Sequence, residues 1–232
     1  MHYVIPPAIP AAAFVAGSDE RFPVRRIYCV GRNYAAHARE MGSDPDREPP
    51  FFFCKPADAL VPAAANMTID VTYPRKTTNY HHEIELVVAI GEGGRDIPIE
   101  QALEHVWGYG VGLDMTRRDL QNQLKEKGRP WELGKAFDQS APLGPLYVAS
   151  KSGHLAAGAI WLKVNGQIRQ QSTIDQLIWS VPETIAHLSA YFELAPGDLI
   201  YTGTPEGVAA VTTGDVLTGG IDGLGELSVR IV

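Results

Sequence analysis

Glu83 and Glu85 stand two apart in a run rich in β-formers, residues 79–90. Side chains two apart on a strand point the same way, which sets these carboxylates side by side, about 7 Å apart along the chain. The even face, His82, Ile84, Leu86, Val88 and Ile90, is largely apolar, and the odd face passes from the two glutamates to Val87 and Ala89. Like charges at the mouth of a buried region are unfavourable unless something positive lies between them, and a divalent cation would do that. The plainer reading is a strand whose odd face begins in solvent, and a lone Glu-x-Glu favours it.

Other reactive types recur along the chain. His37 and Glu40 are three apart on an expected helix and therefore neighbours on one face. A carboxylate beside an imidazole raises its basicity and fixes its tautomer, as a water-activating base requires. Spacing alone favours a surface ion pair. Asp114 closes an expected strand just before a helix, an address for a ligand group or for an ordinary turn aspartate. Arg118 and Gln121, three apart on that helix, could face whatever Asp114 faces. Lys55 ends an aromatic strand and either marks its exit into solvent or reaches an anionic ligand. Lys135, after a Pro-Trp loop, has the surroundings of a solvated lysine.

The elements that must position these groups are short. Residues 1–23, broken by Pro6, Pro7 and Pro10, read as an extended arm or edge strand. Strands are expected at 26–30, 51–55 and 106–113, the last thinned by glycines that let a backbone or ligand approach. Asn33 is expected to cap a helix running to about Met41 and closed by Gly42. Residues 44–50 read as a polar loop. Thr116, with Asp119 as capping-box partner, is expected to start a helix that Gly128 stops. Asn165-Gly166 between residues 161–164 and 168–171 signals a hairpin. A helix from Ser180 to about Phe192, a strand at 199–201 and two short strands to Val232 complete the chain. One catalytic domain over 24–232 is the expected organisation.

Composition narrows the function classes. With 232 residues, 45% hydrophobic and 20% charged, the chain can build one sizeable core. A net charge of −7 argues against nucleic acid and anionic membranes as partners. No apolar run is long enough to span a bilayer. Two cysteines, Cys29 and Cys54, make no disulfide framework or thiolate metal site, which points to the reducing cytoplasm.

Taken together the motifs are more specific than any one alone. Val30-Gly31-Arg32-Asn33-Tyr34-Ala35-Ala36-His37 with Glu40-Met41-Gly42, then Lys55-Pro56 and His82-Glu83-Ile84-Glu85-Leu86, closely resemble the fumarylacetoacetate hydrolase family. So do Asp114-Met115-Thr116-Arg117-Arg118-Asp119-Leu120-Gln121, Gly134-Lys135, Val164-Asn165-Gly166 and Thr202-Gly203-Thr204-Pro205. The narrower likeness, carried by residues 22–27 and 97–102, is to the bacterial fumarylpyruvate hydrolases and acylpyruvases of gentisate breakdown. The resemblance implies an α+β fold, a mixed β-sandwich roll with short flanking helices, and a homodimer. It implies Glu83, Glu85 and Asp114 as ligands of Mg²⁺, with Mn²⁺ or Ca²⁺ as substitutes. Three carboxylates without thiolate or imidazole suit such a hard cation. It further implies His37 with Glu40 as the water-activating dyad. Lys135, Arg118 and Gln121 would stabilise negative charge, and Lys55 and Thr204 would hold a 2-oxo acid substrate. Fumarylacetoacetase itself has a further metal-binding aspartate ahead of its histidine; residues 26–31 here carry no carboxylate, as in the short relatives. The implied reaction is hydrolysis of the C–C bond of an acylpyruvate such as fumarylpyruvate. A β-keto acid decarboxylase acting on oxaloacetate, or an isomerase or hydratase of a related dioic acid, is the rival. For the second carboxylate of a fumaryl substrate, Arg32, Arg129 and Lys55 remain equal candidates.

Overall fold

Every residue of the strand Ile84–Ile90 is buried. Ile84, Leu86, Val88 and Ile90 enter the larger hydrophobic core, while Val87 and Ala89 enter a second, smaller one. Each such large aliphatic side chain removed from water contributes about 1.5–3 kcal/mol, so this strand is the spine of the fold. Both of its faces are covered, and Glu83 and Glu85 are only 4% and 2% exposed. The solvent-facing start of the odd face is therefore not realised.

A computed structural model describes residues 2–40 and 48–232. The expected helix stop at Met41 and Gly42, and residues 44–47 of the expected loop, lie outside the described residues. Around the spine an eight-stranded mixed sheet runs in the order Phe51–Lys55, Arg26–Gly31, Asp198–Tyr201, Ile84–Ile90, Val106–Leu113, Ala141–Leu143, Leu60–Pro62, with Tyr147–Val148 also on Val106–Leu113. A five-stranded sheet, Gln167–Thr173, Ala159–Val164, Val216–Ile221, Leu224–Ile231, Thr68–Val71, packs against it across the larger core. The hairpin at Asn165-Gly166 is as expected, with φ of 51° and 78° at the two turn residues. The helices are short and peripheral, the longest among the described residues being Val181–Tyr191 with a Ser180–Glu183 capping box. The class is α+β, a curled roll of mixed sheets. Among the described residues no helix is long and apolar enough to cross a membrane. Both cysteines are free.

Three local expectations are corrected. Residues 12–14 and 21–23 pair with each other as an antiparallel hairpin, so the N-terminal segment is not one extended strand. Asn33 does not cap the helix Ala35–Glu40. Its buried amide donates to the carbonyls of Trp179 and Thr202, at 2.9 and 2.7 Å, and accepts from Trp179 N–H at 2.7 Å. Thr116 does not cap the following helix either. It pairs with His81 in the three-stranded sheet of Thr116–Arg117, Tyr80–His81 and Ala210–Val211, and the helix starts at Arg118. Asp119 instead accepts from Thr77 Oγ1 at 2.6 Å and from Thr78 N–H at 3.0 Å.

Candidate active site

The paired chains 80–90 and 106–117 are interrupted at the same level. Ile84 pairs with Leu113 in the large sheet and His81 with Thr116 in the small one, so 82–83 and 114–115 form facing gaps between two sheets. Asp114 N–H donates across the gap to Glu83 C=O at 2.8 Å, which sets the aspartate beside the glutamates. One ligand atom each from Glu83, Glu85 and Asp114 lie within 4.8 Å of one another, all buried.

Cations surround this cluster unevenly. Lys135 Nζ donates to Glu83 Oε2 at 2.7 Å, to Asp114 Oδ2 at 2.6 Å and to Thr116 Oγ1 at 2.7 Å. Arg118 donates to Glu83 Oε1 and to Gln121 Oε1. A guanidinium only donates, so the Gln121 oxygen must face it and the Gln121 NH₂ group is left as donor on the cavity side. Burial works against the charge on Glu83, but Lys135 and Arg118 outweigh it and hold the carboxyl well below its ordinary range. Burial likewise disfavours a charged Lys135, yet Asp114 and Glu83 more than compensate, so its ammonium is held above the usual lysine range. Glu85 is different. Its recorded polar partner among the described residues is the Gly203 N–H, at 2.8 Å. Burial, then the charges of Asp114 and Glu83, push its carboxyl well above the ordinary range.

The donor set fits a divalent cation. All three groups are carboxylates, and among the described residues Glu85 makes no ion pair and the buried Asp114 Oδ1 accepts no hydrogen bond. Lys55 Nζ lies 2.8 Å from that oxygen as an ion pair rather than a directed hydrogen bond. Its donors go to the carbonyls of Met115, at 3.2 Å, and Lys135. Lys55 is 2% exposed and stands outside the cavity lining, behind Asp114. The solvent exit is therefore not what the structure shows for it.

The cluster forms the floor of a pocket. His37, on the helix Ala35–Glu40, lines it, with Nδ1 3.2 Å from Glu40 Oε2. The imidazole is buried while Glu40 stays exposed, so the surface ion pair favoured by spacing forms with only its acid in solvent. The Gly207 N–H lies 3.2 Å from both Glu40 oxygens. At Gly207 φ is +91° and a Cβ would fall 2.0 Å from the Arg169 carbonyl, so no side chain can stand there. Lys135, on the short helix Glu132–Lys135, reaches the floor because Gly134 packs on Gln121; a Cβ there would sit 3.0 Å from the Gln121 backbone. Thr204, Arg118 and Gln121 also line the pocket. The expected site residues thus converge, Lys55 from behind Asp114.

Sequence reasoning missed the walls. Phe51, Phe53 and Trp131 form an aromatic side, with Phe51 and Trp131 centroids 5.3 Å apart. The alternation of Phe51 and Phe53 along their strand was the available signal. Arg32, at φ 56°, and Lys125 line the same pocket. Burial, together with the charges of Arg32 and Arg118, lowers the Lys125 pKa. Arg129 is exposed and does not line the pocket.

Residues 26–232 match the family model described as fumarylacetoacetate (FAA) hydrolase C-terminal. The fumarylpyruvate hydrolase of a Ralstonia species is 47% identical over 193 residues, 82% of this chain and 98% of its own. The mitochondrial oxaloacetate tautomerase of Rattus norvegicus is 41% identical over 207 residues, 89% of this chain and 91% of its own. The crystal structure of fumarylpyruvate hydrolase from Pseudomonas aeruginosa in complex with Mn²⁺ and pyruvate superposes with a TM-score of 0.98 at 67% identity, covering 100% of this chain and 99% of that one. With the carboxylate cluster, the dyad and the fold in agreement, the chain belongs to the fumarylacetoacetate hydrolase family.

Proposed function

We propose that the protein is a metal-dependent hydrolase of the C–C bond of acylpyruvates, with fumarylpyruvate, cleaved to fumarate and pyruvate, as its main substrate. The observation that carries this reading is the meeting of the His37–Glu40 dyad and the three-carboxylate floor in one pocket. The likeness to fumarylpyruvate hydrolases over nearly the whole chain supports the substrate. Glu83, Glu85 and Asp114 would hold the cation, Mg²⁺ first with Mn²⁺ or Ca²⁺ able to replace it, and when bound it polarises the 2-oxo acid and neutralises the enolate that leaves.

The chain's own residues do the rest. Glu40 accepts from His37 Nδ1, so Nε2 is the atom free to take a proton from water. The hydroxide adds to the distal acyl carbonyl carbon; Arg118 and Gln121 supply donors to the oxyanion, each worth about 3 kcal/mol in such roles, and Lys135, whose three N–H bonds are taken by Glu83, Asp114 and Thr116, stabilises it by its charge. Collapse breaks the C–C bond, its electron pair leaves as pyruvate enolate, and the imidazolium returns its proton to that carbon. Thr204 holds an oxygen of the acid. Lys55 acts through Asp114, which it fixes in place. Arg32 is the candidate for the far carboxylate of the fumaryl group, since it lines the pocket whereas Arg129 and Lys55 do not.

The catalytic unit is residues 24–232 with 1–23 as an accessory arm, and we assign a cytoplasmic homodimer serving aromatic-acid breakdown through gentisate. Light scattering on the purified protein checks the dimer. The likeness to an oxaloacetate tautomerase makes enolisation or decarboxylation of oxaloacetate the second reading. One experiment separates them: acylpyruvates and oxaloacetate are assayed with and without Mg²⁺, in the parent and in His37→Gln. Acylpyruvate hydrolysis should collapse in the variant. A parent that acts on oxaloacetate alone, with activity surviving in His37→Gln, selects the rival.

A further inference from the structure

Gln170 lies on the strand Gln167–Thr173, which is largely exposed, yet Gln170 itself is 1% exposed. Its amide is fully committed. Oε1 accepts from Ile84 N–H at 3.1 Å and meets His82 Nδ1 at 2.9 Å. Nε2 donates to the Pro205 carbonyl and to Thr204 Oγ1, both at 2.8 Å. A backbone N–H can only donate and a carbonyl can only accept, so Ile84 and Pro205 fix which end of the amide is oxygen. That polarity propagates. His82 must carry a proton on Nδ1, and Thr204 must accept from Gln170 rather than donate to it.

A hydroxyl has one proton, and here it cannot go to Gln170. No acceptor for it is recorded among the described residues, and Thr204 lines the pocket beside Glu85 and His37. We infer that Gln170 is a positioning residue whose amide makes Thr204 an obligate hydrogen-bond donor toward an oxygen of the bound 2-oxo acid. Gln170 is outside the cavity lining, so it acts through the groups it holds, and its NH₂ end reaches the pocket through Thr204. The identity of the accepting oxygen rests on the acylpyruvate reading above.

A double-mutant cycle tests this. Thr204→Val removes the donor. Gln170→Glu keeps an acceptor for Ile84 and His82 but replaces the NH₂ group with an oxygen that recaptures the Thr204 proton. Each single change should lower kcat/KM on the order of ten- to a hundredfold, the range for a hydrogen bond to a charged group. The double variant should be no worse than the weaker single, and Thr204→Ser should stay within a few-fold of the parent. Multiplying losses, or a silent Thr204→Val, overturn the inference. Gln170→Met is the second variant should the glutamate not fold: the cost of Thr204→Val must shrink in its background, and an unchanged cost is equally fatal. The same cycle on the dissociation constant of oxalate in the presence of Mn²⁺ needs no turnover. A parent that binds oxalate but splits no acylpyruvate sinks the proposed reaction alone, and the binding cycle then decides the role of Gln170. A parent that does not bind oxalate sinks both.

Discussion

Lys55 and Lys135 grip the two oxygens of one carboxylate, Lys55 Nζ lying 2.8 Å from Asp114 Oδ1 and Lys135 Nζ 2.6 Å from Oδ2. Only Lys135 lines the pocket. Two buried ammonium groups on one aspartate therefore stand differently: one lines the pocket, the other lies behind the aspartate. Lys55→Met should cost about 3 kcal/mol of stability, because it leaves a buried ion with one partner fewer. It should also weaken metal affinity. Lys135→Met should in addition abolish turnover, whereas Lys55→Met should keep some at saturating metal. Denaturant unfolding and steady-state assays at saturating metal on both variants check the contrast; equal losses of turnover would contradict it.

Metal dependence gives a second expectation. A chelator should abolish turnover, and adding Mn²⁺ at about 100 times its Kd should stabilise the parent by about 2.7 kcal/mol, or roughly 5–10 °C in Tm. Glu83→Ala should fold but show no such rise, because the three ligand atoms act as a set. Thermal melts with and without the ion decide it.

Arg32 should set the choice of acyl group. Arg32→Met is expected to raise KM for fumarylpyruvate on the order of tenfold or more, one lost charged hydrogen bond, while leaving acetylpyruvate within about twofold. Steady-state kinetics on both substrates provide the measurement. Equal losses would move the far carboxylate elsewhere.

The Asp119 knot ties Thr77 and Thr78 to the first turn of the helix Arg118–Glu126. Its partial burial works against the charge, but hydrogen bonds from Thr77, Thr78 and Leu120 prevail and lower its pKa from 3.8. A carboxyl with a depressed folded pKa contributes stability above its unfolded value and loses it as pH falls through the folded one. Asp119→Ala should therefore cost about 1 kcal/mol at neutral pH. The difference from the parent should shrink as pH drops below 3.8. Urea unfolding at several pH values checks the sign.

Much of this site could be read from residue order, for a physical reason. Strand alternation placed Glu83 and Glu85 together, and helix spacing placed His37 beside Glu40, because both periodicities are local properties of the backbone. What remained hidden was nonlocal. Burial of the odd face of Ile84–Ile90 depends on a second core supplied by residues such as Ala13, Phe22 and Leu199. Asn33 and Thr116 carry the chemistry of helix caps, but partners far along the chain, Trp179 and His81, claim them first. Gln170 had no local signal at all, being one polar residue in a polar strand.

Residues 202–207 tie together several parts of the site. Thr202 anchors to the Leu86 carbonyl, Gly203 holds Glu85, Thr204 and Pro205 meet Gln170, and Gly207 holds Glu40. One short segment thereby fixes Glu85, Thr204 and Glu40 relative to one another, so a slip of it would shift all three together, and a substitution there is felt by the whole set rather than by a single side chain.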